Sequence, residues 1–277
     1  MDGVSSHLDF RRSTVAEHTI GSTTRPYNKL SFSEACERIA AAGCTDVAVF
    51  AHDREIPVDS GSSADDVALA RSAAENAGLK PSMLLGRTHL DLGLAEATDD
   101  YKRLIDNAAS LGTSWILELG TSKEEQYADY PKLMAAVVDH AQGAGVGISL
   151  KPHGGISLTA QELIDLHDQV DHPAFRISYD PGNIIFYTWG EVCPEQEVEL
   201  VASRSSTLII KDCTLEGENR DVMVTAGDGL VDFPFVIEKM QAGGFKGPMY
   251  VECVGATEPD DVDRELKRTL SFVQGLI

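Results

Sequence analysis

From about residue 30 the chain repeats a unit of roughly 30 residues, and that rhythm limits the folds open to it. In each unit an amphipathic helical stretch closes at a glycine or another small residue, and a short apolar run follows. SFSEACERIAAAG has apolar residues at helical spacing, with Ser31 or Ser33 placed to cap its start and Gly43 its end, and TDVAVFAH follows as a strand. The pattern returns in SADDVALARSAAENAG with LKPSMLLG, DDYKRLIDNAASLG with TSWILELG, and YPKLMAAVVDHAQGAG with VGISLKPHGG. It continues through TAQELIDLHDQV with FRISYDPGN, EQEVELVASR with STLIIKDC and FPFVIEKMQAGG with GPMYVECVG, before a closing helix over DVDRELKRTLSFVQGLI. TIGSTT supplies one further strand at the start. Short apolar strands joined by crossover helices suit a parallel sheet buried on both faces, and eight of them predict a (β/α)8 TIM barrel of the α/β class. An open doubly wound sheet is the competing fold. It is disfavoured because no Gly-rich phosphate loop follows the first strand and because polar residues end many strands instead of meeting at one switch point. The sequence likewise gives no sign of a nucleotide cofactor. The chain's 277 residues match one such barrel, so residues 1–277 are expected to form a single domain with residues 1–16 as an N-terminal arm.

The formal net charge of −21 would repel phosphate backbones and anionic lipid, which argues against nucleic acid and membrane partners. No apolar run approaches the roughly 20 residues that cross a bilayer, and the N-terminus lacks the apolar core of a signal peptide, so a cytoplasmic location is expected. The five cysteines are scattered, odd in number and without a CxxC pair, which points to neither a disulfide framework nor a zinc knuckle.

Residues along a barrel strand alternate between the interior and the helices, and functional groups gather where strands end. Glu118 follows WIL, Asp180 ends ISY, and Glu252 follows MYV; Ser149, Lys151 and His153 share one parity, as do Ile209 and Lys211. Burying such charges costs several kcal/mol unless they pair or bind something, so a convergent set marks a site. The bland alternatives are plain. Lys151 and Lys211 can serve as structural partners of Asp180 and Glu252, and a lone strand-end charge such as Glu118 is more often part of an ion pair. His153 sits in KPHGG, where two glycines would let the backbone approach a ligand. Asn183 lies in the turn signature DPGN and is a candidate substrate contact as well as a turn former. Trp189, in IIFYTWG, can wall a sugar site, whereas Trp115 is expected to pack. GENRDVMVTAGDGLVD is a long loop after the seventh strand and is expected to shape the pocket.

The order YDPGN, LIIKD, GDGLVDFP and MYVECVG resembles the xylose-isomerase-like sugar phosphate isomerase/epimerase superfamily over nearly the whole chain beyond residue 20. The resemblance implies a divalent cation (Mn, Mg, Co or Zn) held by a Glu on strand five, an Asp on strand six, a His on strand seven and a Glu on strand eight. Asp180 and Glu252 match two of these positions, but Lys151 and Ile209 stand at the others. An ammonium repels a cation and isoleucine offers no donor, so the usual four-ligand site cannot form. Two repairs are open. His153, Asp180 and Glu252, with Glu118, would hold a shifted metal; alternatively Lys151 takes the cation's place and steadies an enolate.

The activity this implies is proton abstraction beside the carbonyl of a sugar or keto-sugar, as in an isomerase or epimerase. Glu252 is the expected base, Lys151 and His153 would stabilise the oxyanion, and Glu118, Asn183, Trp189, Lys211 and Asp212 would contact substrate. Rival readings are a keto-sugar lyase, by β-elimination or through a Schiff base on Lys151, and a non-catalytic sugar-binding barrel or partner subunit. A homo-oligomer is compatible with all of these.

Overall fold

The computed structural model describes residues 18–277, so the expected arm at residues 1–16 lies outside the described residues. Eight parallel strands close a barrel: β1 (Ile20–Thr23), β2 (Asp46–Val49), β3 (Lys80–Leu85), β4 (Trp115–Glu118), β5 (Gly147–Leu150), β6 (Phe175–Tyr179), β7 (Ser205–Ile210) and β10 (Met249–Val251). Each pairs with its sequence neighbours in the barrel, and β1 meets β10 through Ile20 with Met249 and Ser22 with Val251 to complete the circle. Two short strands, β8 (Thr214–Glu216) and β9 (Asn219–Asp221), form an antiparallel hairpin outside the barrel, within the long loop after β7.

The helices are α1 (Phe32–Ala42), α2 (Ala64–Asn76), α3 (Leu94–Leu111), α4 (Tyr130–Ala144), α5 (Ala160–Val170), α6 (Pro181–Thr188), α7 (Pro194–Val201), α8 (Phe233–Ala242) and α9 (Pro259–Gln274). Ser31, not Ser33, caps α1: its hydroxyl accepts from the Glu34 N–H while the Glu34 carboxylate accepts from the Ser31 N–H. Gly43 ends that helix in the left-handed region, at φ 107°, where a residue without Cβ is unstrained. A turn was expected at DPGN, but α6 begins there instead. Asp180 caps it and Pro181 occupies the first helical position, where a missing N–H costs nothing.

Strand alternation sorts the core into two layers. Val47, Val49, Ile116, Ile148, Ile177, Leu208, Ile210 and Val251 face the helices, and Ala48, Met83, Leu117, Ile209 and Tyr250 fill the barrel with Phe50. The interior is also partly polar. Tyr250 and Ser82 hydroxyls lie 2.7 Å apart, Ser149 lies 2.7 Å from Ser206, and Thr207 donates to Ser178 at 2.7 Å, so these buried hydroxyls satisfy one another. Among the described residues no helix is long and apolar enough to cross a membrane.

Candidate active site at the barrel mouth

Lys151, Asp180, Lys211 and Glu252 each follow a barrel strand with inward parity, and they converge where the strands end. Lys151 Nζ donates to Asp180 Oδ2 at 3.1 Å and to Glu252 Oε2 at 2.6 Å. Lys211 Nζ donates to Glu252 Oε1 at 2.5 Å and lies 3.3 Å from Asp180 Oδ2. The four groups thus close a ring of alternating charge, and none is more than 1% exposed. Arg25, just after β1, adds a third cation: its Nη1 donates to Glu252 Oε1 at 3.0 Å, and its side chain is 38% exposed. It links the ring to solvent.

Local structure fixes this arrangement. The Asp180 cap accepts the Asn183 N–H at Oδ1, which leaves Oδ2 for the lysines. Asn183 donates through Nδ2 to the Pro152 carbonyl at 2.7 Å and accepts from Lys211 Nζ at 3.1 Å, so its amide ties the ring together. Gly182 lets α6 start against β7, because a Cβ there would come within 2.3 Å of the Lys211 carbonyl oxygen.

The charges shift one another. Burial alone would raise the Glu252 pKa, but Lys151, Lys211 and Arg25 outweigh it and hold the carboxylate well below its usual range. Burial also works against Lys211, yet Asp180 and Glu252 raise it. Lys151 falls below the ordinary lysine value: burial and repulsion from Lys211 overcome the pull of Glu252 and Asp180. His153 stands beside the ring with its imidazole pushed down to about 4 by burial and by the two lysines, so it is neutral at physiological pH. Its Nε2 lies 3.2 Å from the Tyr187 hydroxyl, and the residue is only part-buried. Gly154 and Gly155 make room for the protein itself: a Cβ at Gly154 would come within 2.9 Å of the Tyr187 ring, and one at Gly155 within 2.3 Å of the Thr121 carbonyl.

Three residues expected at the mouth are placed differently. Glu118 has the parity of Ile116 and faces outward, where Tyr101 of α3 and Tyr130 of α4 surround it. Its Oε1 accepts from the Leu119 N–H at 3.0 Å, while among the described residues Oε2 and both tyrosine hydroxyls lack a partner in hydrogen-bonding geometry. Burial pushes this carboxyl up to about 7, and the nearby Tyr101 hydroxyl offsets only part of that. Asp212 also faces away from Lys211. It accepts the N–H groups of Cys213, Gly227, Gly229 and Val231 and so organises the long loop. Trp189 is half-exposed, but the Arg220 guanidinium lies 4.2 Å from its ring centroid and the same distance from that of Phe186, which fastens the β8–β9 hairpin to the C-terminal end of α6. Arg25 and Tyr187 are not among the residues the sequence points to. The strand-end rule applied to TIGSTTR gives a signal for Arg25; for Tyr187 the aromatic run alone gives none.

A narrow cavity of about 20 Å³ beside Val49, Leu85, Arg87 and His89 has room for one water, and none of the four ring residues lines it.

The side chains present do not fit a divalent cation. Both Glu252 oxygens and Asp180 Oδ2 accept from cationic side chains, two of which are ammoniums in the midst of the would-be ligands. The shifted arrangement loses Glu118, which lies across β4 from the ring. Among the described residues no group of three or more His, Cys, Asp or Glu is placed to hold a metal.

Comparison with known proteins agrees with the architecture. A family model described as xylose isomerase-like TIM barrel matches residues 36–272. D-psicose 3-epimerase from Clostridium cellulolyticum H10, solved with D-tagatose, superposes with a TM-score of 0.76 at 14% identity, covering 93% of this chain and 99% of the epimerase. A xylose isomerase-like TIM barrel protein from Mycobacterium smegmatis, solved with magnesium, gives a TM-score of 0.74 at 15% identity and covers 95% of this chain and all of that one. The rhizopine catabolism protein MocC of Rhizobium meliloti is 24% identical over 143 residues, a match that spans 46% of this chain and 43% of MocC.

Proposed function

This chain belongs to the xylose isomerase-like TIM barrel family, and on that premise we propose that it is a sugar isomerase/epimerase-like enzyme that moves a proton beside the carbonyl of a sugar or keto-sugar. The observation that carries the proposal is the ring of Lys151, Asp180, Lys211 and Glu252, reached from solvent through Arg25. In this reading the cationic members do what a divalent cation would do elsewhere in the family. The Lys151 and Lys211 ammoniums stabilise, through their field, the negative charge that develops on the carbonyl oxygen, and Arg25, held by Glu252, holds the substrate at the entrance. Fixed charges in a buried setting act strongly there because they need not reorganise.

The proton acceptor we assign is His153. A base needs a lone pair that no cation holds and access to the proton; His153 is neutral and part-exposed with its Nε2 beside the Tyr187 hydroxyl, whereas both Glu252 oxygens accept from cations and its pKa is held low. Glu252, the acceptor expected from sequence, becomes the anchor of Lys151, Lys211 and Arg25. Isomerisation, epimerisation and β-elimination all begin with this step.

The test is exchange of the proton next to the carbonyl with deuterium oxide, followed by NMR over a panel of keto-sugars. Wild-type exchange should persist in chelator, and His153→Gln should slow it about a hundredfold or more. Exchange that survives in His153→Gln but vanishes in a folded Glu252→Gln variant would return the base role to Glu252. A second reading has one observation in its favour: the depressed Lys151 amine suits a Schiff base. Borohydride trapping of a keto-sugar on Lys151 would select it.

A further inference from the structure

The charges at the mouth do not cancel. Arg25, Lys151 and Lys211 contribute three positive charges and Asp180 and Glu252 two negative ones, which leaves one positive charge in a chain whose net charge is −21. The hydrogen-bonding capacity is just as uneven. Both carboxylates of the ring already accept from cations, the Asn183 amide is occupied at both ends, and Asp212 is turned to backbone N–H groups. Arg25 commits Nη1 to Glu252 while more than a third of its side chain stays open to solvent. A neutral sugar asks a site for acceptors as well as donors, because each hydroxyl both donates and accepts. Apart from His153 and the Tyr187 hydroxyl, the charged groups of this mouth have donors to offer and no free acceptor, and a planar guanidinium is suited to bidentate contact with an oxyanion.

We infer that the site selects an anionic polyol or sugar, one carrying a carboxylate or a phosphate, and that Arg25 receives the anion. This rests on the proton-transfer reading of the same site and narrows its substrate class.

Isothermal titration of the full chain with gluconate, sorbitol and sorbitol 6-phosphate tests the inference, at one ionic strength at which circular dichroism shows the protein folded. At least one of the two anions should bind about tenfold or more tightly than the neutral sorbitol. A tighter gluconate identifies a carboxylate site, and a tighter sorbitol 6-phosphate a phosphate site. Arg25→Gln should bring the anions to within about threefold of sorbitol, and Arg25→Lys should restore part of the preference. Equal binding of all three, binding of neither anion, or a preference unchanged in Arg25→Gln overturns the inference. The wild-type comparison decides the matter even if Arg25→Gln does not fold. Deuterium exchange from neutral keto-sugars reads the proton-transfer proposal separately, so anion selectivity can fail while that proposal stands.

Discussion

Glu252 and Glu118 both follow short apolar barrel strands and are both 1% exposed, yet the barrel treats them in opposite ways. Glu252 faces inward, meets Lys151, Lys211 and Arg25, and is held ionised. Glu118 faces the helices, meets two tyrosines, and is pushed towards its neutral form. Burial is nearly the same at both; strand parity decides which partners each one finds. A buried carboxylate therefore says little about function until the face it occupies is known.

The sharpest way to break this contrast is to remove a cation from the inner face. Lys211→Met leaves Asp180 and Glu252 short of a partner in a buried setting, and the expected loss is about 3–5 kcal/mol in urea unfolding. Combining it with Glu252→Gln should recover part of that loss, because the stranded charge goes too. If Lys211→Met costs less than about 1 kcal/mol, the ring is not a coupled unit.

The pH dependence separates the two carboxyls by sign. The folded pKa of Glu118, about 7, lies above its unfolded value, so its contribution to stability is full below about pH 4.5 and is lost as pH rises to about 7. That amounts to on the order of 3 kcal/mol, and Glu118→Gln should flatten this part of the stability curve. The folded pKa of Glu252 is depressed, so its contribution is present above the unfolded value and is lost as pH falls further into acid. Thermal unfolding of wild type and Glu118→Gln between pH 4 and 8 checks the first slope. A slope unchanged in Glu118→Gln would refute the outer-face account.

Asp212 sharpens the comparison from a third side. It shares the outward parity of Glu118 but is satisfied by four backbone N–H groups instead of being left partly bare. Asp212→Asn keeps the shape and gives up acceptor capacity, for an expected cost of about 1–3 kcal/mol and faster proteolysis within residues 213–231.

How far the sequence carried depended on what each pattern could encode. The helix-strand rhythm and the glycine at the end of α1 were enough for the barrel. The inner face was readable at Lys151 and His153, which share the parity of Ser149, and at Lys211. It was not readable at Glu118, because Trp115, Ile116 and Leu117 are apolar on both faces and give alternation no sign. Asp212 lies one residue after Lys211, so alternation does place it opposite; only the family-like Lys-Asp pair suggested that the two act together. The ring itself is assembled from residues more than 25 positions apart, and no local pattern encodes its closure. The β8–β9 hairpin was hidden for another reason: strands of three residues are too short to show a period.

The smallest expected effect tests whether the Glu118 site works as a unit. The Tyr101 hydroxyl lies near enough to favour the ionised carboxyl, yet among the described residues it has no partner in hydrogen-bonding geometry. At pH 5, where Glu118 is protonated, Tyr101→Phe removes a buried hydroxyl of little use, so stability should be unchanged or rise by up to about 1 kcal/mol. At pH 8 the same variant loses the group that helps the carboxylate, the Glu118 pKa moves further up, and the declining part of the stability curve extends to higher pH. The wild-type and Tyr101→Phe curves should therefore cross. Parallel curves would mean that Tyr101 and Glu118 are neighbours without coupling, and that burial alone sets the outer carboxyl.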